Sequence, residues 1–183
     1  SLAGQPYLVM TLPTLTGMTR PVIDPTLTLQ PAAAAGIDCM IISGLPDYNT
    51  GINSNMAVGK RNHTGQNYRS LLKFDVSGIA SSATCTSATL YLTPTGNNAD
   101  TASTLYVYRM LRAWAEGTIE YSNIGVDGAT WNTYDGSNAW GTAGASNTSS
   151  DREASDIGSR SMSASETLNT AFDISLTAAA VQD

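Results

Sequence analysis

Charge is scarce in this 183-residue chain: Asp, Glu, Lys and Arg together make up 13%, against roughly 25% in an ordinary soluble domain. Cations are scarcest, with 9 Lys and Arg against 15 Asp and Glu and a formal net charge of −6. That balance leaves no basic footprint of the kind a nucleic-acid-binding surface needs. There is one histidine, His63, and there are two cysteines, Cys39 and Cys85. One imidazole and two scattered thiols make a poor zinc ligand set. No nucleophile-elbow pattern surrounds any serine, so a Ser-His-Asp site built on His63 lacks partners, and an exposed loop histidine is the simpler reading. No apolar run approaches the ~20 residues of a membrane-spanning helix. The chain starts Ser1-Leu2-Ala3-Gly4, without an initiator Met or the charged and apolar regions of a signal peptide. We therefore expect a processed chain or a piece of a longer one.

What is present favours strands. Hydrophobic residues make up 42% of the chain, enough for a core, and the polar remainder is mostly Asn, Ser, Thr and Gly. Residues 1–35 are rich in Thr, Leu and Pro, with Pro6, Pro13, Pro21, Pro25 and Pro31 drawn from a total of 7. Proline restricts itself and its predecessor to extended backbone. This segment reads as an extended N-terminal arm or linker, with a short edge strand at Thr26–Leu29. From about Gly36 onward, short apolar or alternating runs separated by Gly, Asn, Asp and Ser turns predict strands at Ile37–Ile42, Asn55–Val58, Tyr68–Asp75, Ser87–Leu92, Thr104–Leu111 and Ala171–Ile174. Residues 115–160 read as loop-heavy, and GTAGASNTSSDREASDIGSRS as the most flexible stretch. LTAAAVQD looks like the start of a short helix. The class that follows is all-β: an antiparallel β-sandwich, jelly-roll-like. Cys39 and Cys85 fall in predicted strands as two buried thiols or, alternatively, an inter-strand disulfide.

Four blocks over residues 36–183 carry a family likeness. They are Asp38-Cys39-Met40-Ile41 with Gly44-Leu45-Pro46-Asp47 and Val58-Gly59; YRSLLKFDVSGI at 68–79; Ser87-Ala88-Thr89-Leu90-Tyr91-Leu92; and Trp114-Ala115-Glu116-Gly117-Thr118 followed by Thr130-Trp131-Asn132 and Trp140. In this order they resemble the DNRLRE family of β-sandwich modules, related to disaggregatase-like and some carbohydrate-binding modules. The chain departs from it at Cys39, where the family has Thr, and at Ile79-Ala80, where it has Ile-Pro. The resemblance also implies a final strand beyond Asp183, so the sandwich at 36–183 is expected to lack its last strand. An edge left open in that way would be paired by further sequence or by another chain.

The candidate residues divide by chemistry. Trp140 and Tyr134 are the aromatic faces, and Lys60 and Arg61 the cations, that a sugar-binding reading would use; Arg69 clusters nearby. Trp114, Glu116, Trp131, Phe74 and Asp75 read as structural, Glu116 through backbone N–H groups bonded to its carboxylate. Glu116 and Glu120, with Asp127 and Asp135, are the carboxylates that glycoside hydrolysis would need; the structural reading of the Trp-x-Glu-Gly turn competes with it. Calcium is the one open cofactor, at Asp47, Asn49 and Asp100, although Asx turns explain those residues without metal. The sequons at Asn62 and Asn147 carry no weight in so Thr/Ser-rich a chain.

The resemblance implies a non-catalytic module rather than an enzyme. The leading expectation is a structural or attachment component of an extracellular assembly, such as a phage virion decoration, head-fibre or tail protein, built from other chains through the arm and the sheet edge. The alternative is a carbohydrate-binding module for an acidic polysaccharide, appended to a secreted enzyme or cell-surface protein. Either places the chain outside the cell or on a virion surface.

Overall fold

The computed structural model describes residues 6–11, 26–30, 36–61, 64–79, 83–96 and 101–181. Among these the regular structure is almost entirely antiparallel strand, consistent with the predicted β-sandwich class. The chain forms two compact units with interleaved sequence: Ser1–Gly36, Phe74–Val107 and Ile157–Asp183 make the first, and Ile37–Lys73 with Tyr108–Asp156 the second. His63 and Asp100 lie outside the described residues, as do most of residues 1–35.

In the first unit, β1 (Tyr7–Thr11) and β2 (Thr26–Leu29) belong to a four-stranded sheet with β6 (Ser87–Leu92) and β9 (Phe172–Leu176), in the order β2-β1-β6-β9. The described pieces of the stretch read as an arm are therefore paired strands of this sheet. The sequence signal at Tyr7–Thr11 was hidden by flanking prolines, but the burial of YLVMT alternates as a strand's should. Register puts Leu8 opposite Leu29 and Leu90, Met10 opposite Leu27 and Ala88, and Leu90 opposite Ile174. These residues share one face and form a core with Cys85, Phe74 and Ile79. Each aliphatic side chain fully buried there contributes about 1.5–3 kcal/mol. The four-residue helix α1 (Ala178–Val181) adds Ala178 and Val181 to the same core. A separate two-stranded ribbon pairs β7 (Ser103–Val107) with β8 (Gly158–Met162). β8 starts inside the stretch that the sequence marked as loop.

The second unit holds β3 (Ile37–Ile42), β4 (Gly59–Lys60) and β5 (Asn67–Lys73) in the order β3-β5-β4. The strand predicted at Asn55–Val58 forms instead as the two-residue β4. Cys39, Ile41 and Leu71 face a core completed from the loops by Ala129, Trp140 and Ala145, with Met110, Trp114, Trp131 and Tyr134 packed around it. The outer edge of β3 is closed by side chains. Thr50 Oγ1 accepts from the Met40 N–H at 2.9 Å and donates to the Met40 carbonyl at 2.7 Å, while Glu116 Oε1 accepts from the Asp38 N–H at 2.8 Å. That satisfies the groups an edge strand would otherwise offer to a neighbouring chain.

Residues 108–156 lack long strands yet are densely bonded. Asp151, fully buried, accepts from the backbone N–H groups of Gly141, Thr142 and Asn147 at 2.8, 3.0 and 3.1 Å and from Ser150 Oγ at 3.1 Å. The Gly/Ser/Asn composition that reads as flexible is thus the composition of a bonded loop, wrapped around one carboxylate.

Candidate functional site

The structure separates the four residues of the sugar-binding reading. Trp140 is only 5% exposed, and its indole N–H donates to the Thr130 carbonyl at 2.9 Å. Tyr134 stands edge-on to it, with ring centroids 5.8 Å apart, and Arg112 lies 4.6 Å over the Tyr134 ring. Trp140 therefore offers no face to a ligand, and the expectation that it stacks on a sugar is corrected: it anchors the core, as a large aromatic with one polar atom usually does when its N–H finds an acceptor, while Tyr134 is half-buried beside it. Trp131 is half-buried, with Arg69 5.0 Å over its ring and Gly144 against its edge. Phe74 packs into the core of the first unit, and Asp75 Oδ1 accepts from the Ser77 N–H in an Asx turn.

Lys60 and Arg61 are exposed at the β4–β5 hairpin. In the β4–β5 register Lys60 lies opposite Asn67, and cross-strand partners and residues two apart share a sheet face. Lys60, Asn67 and Arg69 therefore project on the same face of the sheet, the last a diagonal neighbour at about 7–8 Å. Arg69 runs out over Trp131, donating to the Gly144 carbonyl and, at 2.6 Å, to Ser146 Oγ. Burial and the neighbouring Arg152 charge both act to lower the affinity of its guanidinium for its proton. Arg152 in turn lies 4.0 Å over the Tyr108 ring and donates to the Glu153 carbonyl at 2.7 Å. Lys60 and Arg69 thus share one face with Asn67 and Ser146 as polar neighbours, and the charge of Arg152 acts on Arg69. Arg152 was not identified in the sequence, because only the fold brings it beside Arg69.

Glu116, Asp127 and Asp135 serve structure, while Glu120 is exposed. Glu116 caps Asp38, and Asp127 accepts from Thr118 N–H and Oγ1 at 2.8 and 2.7 Å, which hold its carboxyl below the usual range. Asp135 is held low in the same way by Asn138 and Ser137. Two of the three calcium candidates are bonded within the fold, and the third, Asp100, lies outside the described residues. Asn49 is fully buried: its Nδ2 donates to the Glu116 and Ala129 carbonyls at 2.8 and 2.9 Å, and its Oδ1 accepts from Gly51 and Ile119 N–H at 3.1 and 3.3 Å. Asp47 accepts from Asn132 Nδ2 at 2.8 Å. Among the described residues no group of three or more His, Cys, Asp and Glu is placed to hold a metal. Gly117 explains why this junction needs glycine, since at φ 84° a Cβ there would also meet Asn49 Oδ1 at 2.5 Å.

Cys39 and Cys85 are buried thiols, not a disulfide, and Cys85 precedes β6 rather than lying in a strand. Burial pushes the Cys39 thiol well above its usual range, with Asp38 and Glu116 adding to the shift. Since the thiolate is the reactive form, Cys39 should resist iodoacetamide at pH 8 in the native protein and react once urea unfolds it. Prompt native labelling, located at Cys39 by mass spectrometry, would contradict this placement.

Antiparallel sheets, a side-chain-capped edge strand and carboxylates committed to hydrogen bonds within the fold define a compact β module. The model of carbohydrate-binding module family 96 matches residues 30–151, and the chain belongs to that family. Carbohydrate-binding modules hold sugars without cleaving them, in agreement with the non-catalytic reading. The match supports the carbohydrate-binding alternative and lends nothing to the virion-assembly expectation. No curated protein and no solved structure matches the chain significantly. Among the described residues no helix is long and apolar enough to cross a membrane.

Proposed function

We propose that the second unit binds an acidic polysaccharide along the shelf formed by Lys60, Arg69 and Arg152. One observation carries the reading: the β4–β5 register sets Lys60 and Arg69 on one face of the sheet, with Arg69 laid over Trp131, on a chain whose net charge is −6. Like charges brought together cost stability, and an anionic ligand turns that cost into affinity. Arg69 and Arg152 are pre-oriented by aromatic faces, so a planar guanidinium can meet a uronate carboxylate or a sulfate bidentately with little further ordering. Distant acidic residues weaken this attraction only slightly, because screening at physiological salt acts over about 8 Å. An extracellular location, and the DNRLRE likeness with its modular secreted and surface proteins, fit the same proposal.

Affinity electrophoresis in gels containing a polyuronate tests it. Lys60→Ala together with Arg61→Ala, its exposed neighbour at the end of the shelf, should weaken retardation by about threefold to tenfold, equivalent to roughly 0.7–1.4 kcal/mol, without moving Tm. Raising NaCl from 50 to 500 mM should abolish most of the binding. Retardation that ignores both salt and the double substitution would sink the proposal.

A further inference from the structure

Within the second unit, the loops at 43–55 and 116–128 are zipped together by Asn49 N–H to the Ser122 carbonyl at 3.0 Å and Ile52 N–H to the Ile119 carbonyl at 3.4 Å. On this base Tyr48 braces Tyr121 edge-on, with ring centroids 6.2 Å apart and planes at 71°. Tyr121 is 44% exposed and sits at φ 55°. A bulky residue is an outlier in that left-handed region, and backbone held there against its preference concentrates at functional sites. The same two loops also carry Ile124 and Ile52, 79% and 59% exposed.

We propose that this Tyr48–Tyr121 ledge is a second glycan subsite, which takes the apolar C–H faces of uncharged sugar rings. Charge decides the ligand class. Neither 43–59 nor 113–150 contains a Lys or Arg, whereas Asp47, Glu120 and Asp127 lie in these loops. A polyuronate would meet like charge from these loops, while neutral hydroxyls have the exposed Glu120 carboxylate and the amides of Asn53 and Asn123 as partners. Tyrosine supplies a rigid, amphipathic contact that loses little conformational entropy on binding. The ledge and the cationic shelf share no residue, so this inference stands on family membership and not on the acidic-glycan reading.

The test is affinity electrophoresis of the full chain in gels of galactomannan, xyloglucan or mixed-linkage β-glucan, at 150 and 500 mM NaCl. At least one of these should retard the wild type, with the same retardation at both salt concentrations and in the Lys60→Ala/Arg61→Ala variant. Tyr121→Gly, which removes the ring and suits the backbone, should lower affinity about tenfold or more while the protein stays folded by circular dichroism; Ile124→Ser should weaken it less. Absence of retardation in every neutral gel, or a Tyr121→Gly variant that binds like the wild type, would overturn the proposal. So would concentration-dependent dimerisation in sedimentation that Tyr121→Gly abolishes, because the ledge would then be a contact between copies. Failure in polyuronate gels alone removes the shelf and leaves the ledge standing.

Discussion

Asp151→Ala should destabilise the protein by about 3–5 kcal/mol, the range for leaving the partners of a buried charge without it, and lower Tm by roughly 10 °C or more. The carboxylate organises residues 141–151 by accepting from three backbone N–H groups and one hydroxyl, and Arg112 Nε lies 3.5 Å from it. Alanine leaves those donors with no acceptor in a site from which water is excluded, and each such group costs about 1–3 kcal/mol, though not additively. Asp151→Asn keeps the shape but points an NH2 at one of the donors, so it should recover only part of the loss. The pH dependence has a definite sign. Burial would raise the Asp151 pKa, but its hydrogen bonds outweigh burial and hold it below the ordinary value of 3.8. A carboxyl depressed in the folded state stabilises above its unfolded pKa and loses that contribution as pH falls through its folded pKa. Asp38 acts oppositely: burial and Glu116 raise its pKa, so its contribution is greatest below the unfolded pKa and is lost as pH rises through the folded one. Urea denaturation between pH 7 and pH 2 should therefore show an acid limb below about pH 4 that is flattened in Asp151→Asn. An acid limb identical in wild type and variant would show that Asp151 does not control it.

The strands were legible where a short apolar or alternating run is bounded by turn residues. Ser87–Leu92 and Ile37–Ile42 carry their pattern in six consecutive residues, and both form with the predicted bounds. Tyr7–Thr11 was missed because neighbouring prolines speak for an irregular arm, while its pairing with Ser87–Leu92 is a contact some 80 residues distant in sequence. The site was less legible for the same reason. Lys60 and Arg69 share a face only through the register of β4 on β5, and the Arg152 charge that acts on Arg69 comes from another segment altogether. Trp140 misleads in the opposite way: a tryptophan among Gly, Ser and Asn looks exposed, yet that composition builds turns tight enough to fold over it. Tyr121 gives no local signal at all, since what distinguishes it is a backbone angle, φ 55°.

Asn49→Ala should cost about 3–4 kcal/mol, because four backbone groups lose their partner at one step: the carbonyls of Glu116 and Ala129 and the N–H groups of Gly51 and Ile119. Asn49→Asp tests the same geometry more sharply. It preserves volume and the Oδ1 acceptor, but turns an oxygen toward two carbonyls now 2.8 and 2.9 Å from Nδ2, replacing two hydrogen bonds by repulsion within a buried site. The aspartate variant should accordingly be at least as unstable as alanine at pH 7 and regain stability as pH falls and the carboxyl takes up a proton. A metal-ligand role predicts the reverse order, since aspartate is the better calcium ligand, together with a wild-type Tm that drops in EDTA. Thermal melts of the three proteins with EDTA and with millimolar calcium separate the two accounts. Because Asn49 joins the loops that carry Tyr48 and Tyr121, its loss should also weaken neutral-glycan retardation more than polyuronate retardation at temperatures where the variant remains folded. That difference would tie the stability of a buried amide to a binding surface it never touches.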